Sequence, residues 1–347
     1  MTTPHRLALV GFGVVGQALA EVMQHKSSEL EQQYGLKLQL VAVATRSRGS
    51  LYHPAGLDVK LLRQAIQKSG DLNAYPETPG LRRGWDGRRL AQESNADTLV
   101  EVSPTNLQTG QPALDHCRAA LQNRKHVVTA NKGPLVLAYR ELAELAHHYR
   151  AGFGFESTVM AGTPALRGGQ IMKGNAISQI SGILNGTTNF ILTRMEADQV
   201  SFAGALAEAQ RLGYAEADPS GDVEGRDAAA KVVILANVLM GVDLTLSQVA
   251  TTGIGQLTAA DIAAAQAQGK RWKLIGWVRR ENGRLQASVA PAMLPLSDPL
   301  ANVNGATNAI TYQTDLLGAV TLIGPGAGGK ETAAGLLADI LTIAAGG

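Results

Sequence analysis

Near its start the chain reads Arg6-Leu-Ala-Leu-Val-Gly-Phe-Gly-Val-Val-Gly16, a short apolar run followed at once by a glycine-rich turn. Residues 17–23 then carry apolar side chains at helical spacing. In such a strand–turn–helix, one glycine makes the turn, one lets the backbone approach a pyrophosphate, and one lets the helix pack on the strand. We therefore expect a doubly wound, Rossmann-type α/β domain, with a glycine-rich turn of another α/β fold as the alternative. The predicted cofactor contacts are Gly11, Phe12, Gly13, Val14, Val15 and Gly16.

The next predicted strand, residues 37–44, ends without the acidic residue that usually binds the ribose hydroxyls of NAD. Thr45-Arg-Ser-Arg48 follows it instead. A guanidinium at Arg46 can pair with a 2′-phosphate, so the sequence favours NADP over NAD. The alternative is a pair of solvated loop arginines.

Two later segments, residues 97–106 and 125–132, each place polar residues directly after an apolar strand. The carboxyl ends of strands in a doubly wound sheet form the ligand crevice. Ser103 and Lys132 are therefore candidate cofactor contacts, and Lys132 is expected to face the nicotinamide. A solvated lysine after a strand is the alternative.

Composition excludes several classes of protein. The chain has 347 residues, 45% of them hydrophobic and 17% charged, which suits about two globular domains with good cores. A net charge of +2 offers no basic face for nucleic acid. No secretory leader and no apolar run of about 18 residues is present, so no membrane contact is expected. The single cysteine, Cys117, fits a reducing compartment, and we expect a cytoplasmic protein.

The second half contains the charged segment Gly213-Tyr-Ala-Glu-Ala-Asp-Pro-Ser-Gly-Asp-Val-Glu-Gly-Arg-Asp-Ala-Ala-Ala-Lys231. Asp227 and Lys231 are four residues apart and share one face of a helix. Because residues 232–240 are apolar nearly all round, this helix is predicted to be buried, and charges at its start must be paired or serve a ligand. Acids for an ammonium and a lysine for a carboxylate or hydroxyl suit a small zwitterionic substrate. A structural Asp–Lys bridge is the alternative.

This segment resembles the central signature of the homoserine dehydrogenase family. The matching positions are Gly213, Tyr214, Glu216, Asp218, Pro219, Asp222, Gly225, Asp227 and Lys231. Further motifs similar to those of the family lie at residues 100–106, 129–135, 152–164, 185–189, 299–310 and 324–329. The resemblance thus spans nearly the whole chain.

The resemblance implies an NAD(P)-dependent enzyme that interconverts L-homoserine and L-aspartate 4-semialdehyde in threonine, methionine and isoleucine biosynthesis. Its implied catalytic residues are Lys231, Lys132 and Asp227. Either lysine could handle the hydroxyl proton, and the resemblance favours Lys231. The implied substrate-binding residues are Glu216, Asp222, Asp227 and Lys132.

The resemblance also implies a monovalent cation, sodium or potassium. The Glu156 carboxylate and three backbone carbonyls, those of Val159, Ala161 and Thr163, would hold it. Met160 stands where the family often has glycine. Gly326, in the last glycine-rich loop, would approach the cofactor before a helix at 331–343. The alternative is a loop that only caps that helix.

The expected organisation is a dinucleotide-binding domain at 1–152, with the C-terminal helix 324–347 packing back on it, and an α+β catalytic and dimerisation domain with an open sheet at 153–323. A hairpin at Glu281-Asn-Gly-Arg284 should join two strands of that sheet. The resemblance implies a homodimer, with the strands near 152–159 and 310–323 as candidate surface. It also implies the monofunctional form, so control by an appended regulatory domain is not expected.

Two rival functions predict different observations. A semialdehyde dehydrogenase that acylates a cysteine needs an exposed thiolate, whereas Cys117 is predicted to lie mid-helix as a packed thiol. A non-catalytic dinucleotide-sensing protein would bind NADP without turnover of homoserine.

Overall fold

A computed structural model describes residues 4–281 and 283–346. The chain forms two compact units, one reaching residue 162 and resuming at 328, the other spanning 163–327. The sequence had placed these divisions at 152/153 and 323/324. The strands are β1 His5–Val10, β2 Leu38–Ala44, β3 Ser50–Tyr52, β4 Arg82–Arg83, β5 Thr98–Glu101, β6 His126–Thr129, β7 Phe153–Gly154, β8 Ile177–Ile183, β9 Ala250–Thr251, β10 Lys270–Glu281, β11 Arg284–Pro295, β12 Thr307–Thr314 and β13 Gly318–Pro325.

Helices connect these strands. They are α1 Val14–His25, α2 Ser27–Tyr34, α3 Val59–Ser69, α4 Gly87–Glu93, α5 Ala113–Gln122, α6 Lys132–Tyr149, α7 Ser157–Met160, α8 Ala165–Ile171, α9 Gly186–Asp198, α10 Phe202–Arg211, α11 Ser220–Val223, α12 Arg226–Leu239, α13 Ala259–Ala267 and α14 Gly329–Ala344. In the part of the chain that the structure describes, no helix is both long and apolar enough to cross a membrane.

The described residues of the first unit form a sheet in the order β4-β3-β2-β1-β5-β6-β7. From β2 to β7 the neighbours are parallel, and β3 and β4 extend one edge antiparallel. Alternate residues of β1 enter opposite cores: Leu9 packs with residues of α1, α3 and α14, and Ala8 with residues of α4, α5 and α6. Helices therefore cover both faces, as expected of a doubly wound fold.

Residues 153–162 lie in the first unit because they pack on its sheet and on α14. Strand β7 pairs with β6. The backbone N–H of Glu156 donates to Asp339 Oδ2 at 2.9 Å. A Cβ atom placed on Gly162 would lie 2.4 Å from the carbonyl oxygen of Glu331, so the backbone approaches α14 as closely as glycine allows. These contacts move the division past residue 152.

The second unit contains a mostly antiparallel sheet in the order β13-β12-β8-β10-β11-β9. Strands β10 and β11 form the predicted hairpin, with Glu281 opposite Arg284. Its turn residue Asn282 lies outside the described residues. Helix α12 is buried along residues 228–236, which confirms the prediction from its apolar sequence.

Candidate active site

The glycine-rich turn leaves a cradle at the start of α1. Gly11 has a φ of +106°, and a Cβ atom on it would lie 2.4 Å from the carbonyl oxygen of Val102. A Cβ on Gly16 would lie 2.3 Å from the carbonyl oxygen of Gly11, so the missing side chain allows the helix to pack on the turn. A Cβ on Gly13 would meet no heavy atom of the described chain within 4 Å. A pyrophosphate has room to approach the backbone at Gly13, and the first N–H groups of α1 are donors that can bind it.

The side chains of the turn have different environments. Phe12 is buried in the core, and Val15 packs against the same cluster. Val14 is 76% exposed. Of these three predicted contacts, only Val14 therefore offers an exposed side chain, and Phe12 can contact a cofactor only through its backbone.

A buried network fixes the loop after β5. Glu101 Oε1 accepts from the backbone N–H of Ser103 at 2.8 Å, and Oε2 lies 2.7 Å from His116 Nδ1. Asn131 Nδ2 donates to the carbonyl of Ser103 at 2.9 Å, and Asn131 also caps α6, whose first residue is Lys132. The Glu101–His116 pair was not among the site residues predicted from the sequence. The sequence feature that could have indicated this pair is the acidic residue Glu101 at the end of the apolar strand β5.

Arg46 lies in the loop that follows β2 and is exposed. The loop is closed by Thr45, whose Oγ1 donates to the carbonyl of Gly49 at 2.8 Å and accepts from the Arg48 N–H at 2.8 Å. The guanidinium of Arg46 is therefore accessible, as both a phosphate contact and a solvated side chain would require.

The predicted charged cluster in the second unit centres on Lys231. This buried lysine lies 2.8 Å from Asp227 Oδ2 and donates to the carbonyl of Leu184 at 2.6 Å. Asn185 Nδ2 donates to Asp222 Oδ1 at 2.7 Å and to Asp227 Oδ2 at 3.0 Å. Asn185 Oδ1 accepts from the Thr188 N–H and so caps α9. One amide thus fixes two carboxylates relative to a helix start.

The other acids of the segment are exposed, and the Asn185 amide nitrogen donates to Asp222 and Asp227 instead. Glu216 and Asp218 are exposed, and Asp218 Oδ1 accepts from the backbone N–H of Ser220 at 3.1 Å. Glu224 pairs with Arg226 at the surface. Hydrogen bonds and an ion pair therefore join Asp222, Asp227 and Lys231 through Asn185, and Glu216 stays a predicted substrate contact with an exposed side chain.

The residues that the resemblance implies as cation ligands lie between β7 and α8. Glu156, Val159 and Ala161 of the first unit are buried. Ala161 has φ +50° and ψ −113°, a strained conformation for a residue with a side chain. Such strain persists only where surrounding structure imposes it. A buried carboxylate is the type of oxygen ligand that a hard cation takes, and among the described residues no group of three His, Cys, Asp or Glu side chains is placed to hold a metal ion.

The remaining predicted residues, Thr163 and Gly326, lie in the second unit. Thr163 Oγ1 donates to the carbonyl of Pro325 at 2.9 Å. A Cβ on Gly326 would lie 2.1 Å from Cγ of Asn308, a fully buried side chain whose amide has no hydrogen-bond partner among the described residues. Gly326 therefore lets the loop pack flat against this amide.

Cys117 is a packed thiol, as predicted. It is fully buried in α5. Burial raises the pKa of the Cys117 thiol well above its ordinary value, and the nearby Glu101 charge adds to the increase. The acylating rival therefore lacks its nucleophile.

A dinucleotide cradle in the first unit and a buried lysine–carboxylate cluster in the second are the features expected of an oxidoreductase that uses a pyridine nucleotide. The profile described as "Homoserine dehydrogenase, NAD binding domain" matches residues 11–156, and that described as "Homoserine dehydrogenase" matches residues 165–341. The chain belongs to the homoserine dehydrogenase family. This confirms the predicted family, fold class and enzyme class.

Individual relatives match over nearly their whole length. An NAD(+)-dependent homoserine dehydrogenase from Pseudomonas canavaninivorans is 43% identical over 98% of this chain and 96% of its own. A homoserine dehydrogenase from Methanocaldococcus jannaschii is 41% identical over 97% and 98%. Among solved structures, a hyperthermophilic archaeal homoserine dehydrogenase mutant in complex with NADPH has a TM-score of 0.84 at 32% identity, covering 99% of both chains.

Proposed function

We propose that this protein interconverts L-homoserine and L-aspartate 4-semialdehyde, with Lys231 handling the hydroxyl proton. The observation that carries the proposal is the cluster of Lys231, Asp227 and Asp222 around Asn185. A bound nicotinamide would supply or accept the hydride at its C4.

The ammonium of Lys231 has three N–H bonds. Two have acceptors, the carbonyl of Leu184 and the carboxylate of Asp227, and among the described residues the third is available for a substrate oxygen. In reduction, Lys231 would give its proton to the aldehyde oxygen as the carbonyl carbon receives the hydride. In oxidation, the neutral amine would take the hydroxyl proton back. Lys132 stays the second candidate for this role.

The substrate ammonium requires acceptors. Asp222 and Asp227 are already held by Asn185, so their positions need little reorganisation on binding. Glu216, the remaining acidic candidate, is exposed. Asp222 and Asp227 are therefore the stronger candidates.

For the cofactor we infer NAD(P), with NADP preferred. Arg46 and the missing acid after β2 support this preference. One relative is named as NAD(+)-dependent and one structural neighbour was solved with NADPH, so both cofactors occur among similar proteins. Gly11, Gly13, Ser103 and Lys132, all in the first unit, would line the cofactor.

A monovalent cation, sodium or potassium, would bind Glu156 and the carbonyls of Val159, Ala161 and Thr163. Its positive charge would be attracted to the buried Glu156 carboxylate. The cation takes no part in the proton steps above.

We further propose a homodimer that meets through the edge of the second sheet. Strand β13 is an edge strand, and near it Ile323, Leu316 and Leu317 are exposed apolar residues. Val159 and Ile310 are buried within the chain, so the exposed residues at β13 are the stronger candidates for the interface. A cytoplasmic location and a role in threonine, methionine and isoleucine biosynthesis complete the proposal.

One assay tests the function. Reduced nicotinamide is followed by absorbance as L-homoserine is added with NAD or with NADP, and L-serine, one carbon shorter, serves as the control substrate. Absorbance that rises only with homoserine supports the proposal. Tight cofactor binding with no turnover for either cofactor would favour the sensing protein instead.

A further inference from the structure

A second buried lysine, Lys273, lies in the core of the second unit on β10 and is fully buried. Its Nζ donates to the carbonyl of Val303 at 2.5 Å and to Asn189 Oδ1 at 3.0 Å, with Asn304 Oδ1 at 3.4 Å. All three acceptors are uncharged. Among the described residues no carboxylate forms an ion pair with Lys273, so the ammonium is held by neutral oxygens alone.

A buried lysine ammonium held only by neutral oxygens lowers the stability of the folded protein. Burial lowers the pKa of Lys273 to about 8, with the charge of Glu196 opposing the decrease and that of Arg271 adding to it. An apolar side chain of similar volume would fill this position without a desolvation penalty. Charges that are unfavourable for folding are expected where function needs them.

Two of the three oxygens around Lys273, those of Val303 and Asn304, belong to a segment, residues 303–307, that is hydrogen-bonded to α9. Asn189 Nδ2 donates to the carbonyls of Val303 and Thr307, each at 3.1 Å, and the Gly305 N–H donates to Thr193 Oγ1 at 3.1 Å. Lys273 and Asn189 therefore share the carbonyl of Val303 as an acceptor. Losing the lysine removes the only charged donor to this segment among the described residues.

The same segment packs against the first residue of α9. A Cβ atom placed on Gly186 would lie 2.6 Å from the carbonyl oxygen of Ala306 and 3.3 Å from Asn308 Oδ1. Only glycine allows this approach, so the position of the segment sets the position of the helix start. Directly before it stands Asn185, whose amide holds Asp222 and Asp227.

We infer that Lys273 is a positioning residue, an internal ammonium that organises the 303–307 segment as a bound cation would and thereby aligns Asn185 and its two carboxylates for the substrate. The inference rests on the proposed function of that cluster. Lys273 itself touches no reacting atom in this scheme. The alternative is a lysine that serves only to hold the fold together.

The two roles are separated by replacing Lys273 with methionine in the full-length protein. Lys273→Met keeps an unbranched side chain but removes the charge and the donors. A positioning role predicts a KM for homoserine raised about tenfold, a KM for the cofactor within about twofold of wild type, and a urea midpoint that is unchanged or higher. Lys273→Arg retains charge and donors and should recover part of the homoserine KM.

Lys173→Met is the matched control, because Lys173 is an exposed lysine of the same unit and should leave all three readouts unchanged. A wild-type homoserine KM in Lys273→Met would overturn the inference. So would a lower urea midpoint with both KM values raised together, which indicates a structural role. If Lys273→Met does not fold, Lys273→Gln is measured in its place, and failure of both variants to fold also rejects the inference. Absence of homoserine turnover in the wild type would instead reject the proposed function.

Discussion

Lys273 should also change how the free energy of unfolding depends on pH. The pKa of Lys273 is about 8 in the folded protein against an ordinary value of 10.5. At about 1.36 kcal/mol for each unit, this difference corresponds to a penalty of about 3 kcal/mol for the folded state at neutral pH. Lys273→Met should remove that penalty.

Whether stability rises or falls with pH follows from how many protons the folded and unfolded states bind. Well below pH 8, Lys273 is protonated in both states, and the penalty is present in full. As the pH rises from 8 to 10.5, the folded state loses this proton while the unfolded state keeps it. Stability rises with pH wherever the unfolded state binds more protons. The stability of wild type minus that of Lys273→Met should therefore increase by roughly 2.5 kcal/mol between about pH 7 and about pH 10.

Tryptophan fluorescence can follow the second unit alone. The chain has three tryptophans, of which Trp272 and Trp277 lie on β10 with Lys273, and Trp85 lies in the first unit. In a Trp85→Phe background, urea unfolding of both proteins is measured at the two pH values. Glu196 and Arg271, the charged residues that influence Lys273, are present in both proteins and are therefore common to the comparison. A difference that does not change with pH would refute the reasoning.

Four further predictions concern the active site and assembly. Lys231→Ala should lower kcat by about a hundredfold or more while the protein stays folded, and Lys132→Ala is measured separately; near-normal kcat would remove either lysine from its role. Arg46→Ala should raise the KM for NADP by about tenfold and leave NAD nearly unchanged, with Arg48→Ala as control; equal loss with both cofactors argues against it. Asn185→Ala should raise the homoserine KM and cost about 1 kcal/mol of stability through the lost cap, and an unchanged KM would contradict its role. Light scattering at micromolar concentration should give twice 36.3 kDa, whereas a mass near 36.3 kDa would reject the dimer.

The elements that could be predicted from sequence are those whose pattern is local. Strands β1, β2, β8 and β10 carry runs of apolar or alternating residues, and α12 continues its apolar pattern for several turns. The short pieces β4, α4 and α7 could not be predicted, because two to seven residues carry too little periodicity and pair only through tertiary contacts. Residues 82–89 accordingly looked like part of a loop.

Contacts in the site could be predicted where the partners lie close together in the sequence. They could not be predicted where the partners are many residues apart. Asp227 and Lys231 are neighbours on one helix, so their pairing was visible. The contacts of Lys273 with Asn189 and Val303 bridge an 84-residue and a 30-residue separation. A lysine on a strand beside Arg271 and Trp272 ordinarily indicates solvent exposure, and only the fold reveals its burial.

The return of the chain to the first unit has a consequence for synthesis on the ribosome. Helix α14 supplies Ala333, Leu336 and Ile340 to the same core that holds Leu19 and Ala20 of α1. The nucleotide-binding unit therefore lacks part of its core until α14 has emerged, although β1 precedes the whole second unit in the chain. The second unit is one continuous stretch, 163–327, and can complete its core earlier. Synthesis of the nucleotide-binding unit thus begins before that of the second unit, but its core is completed after it.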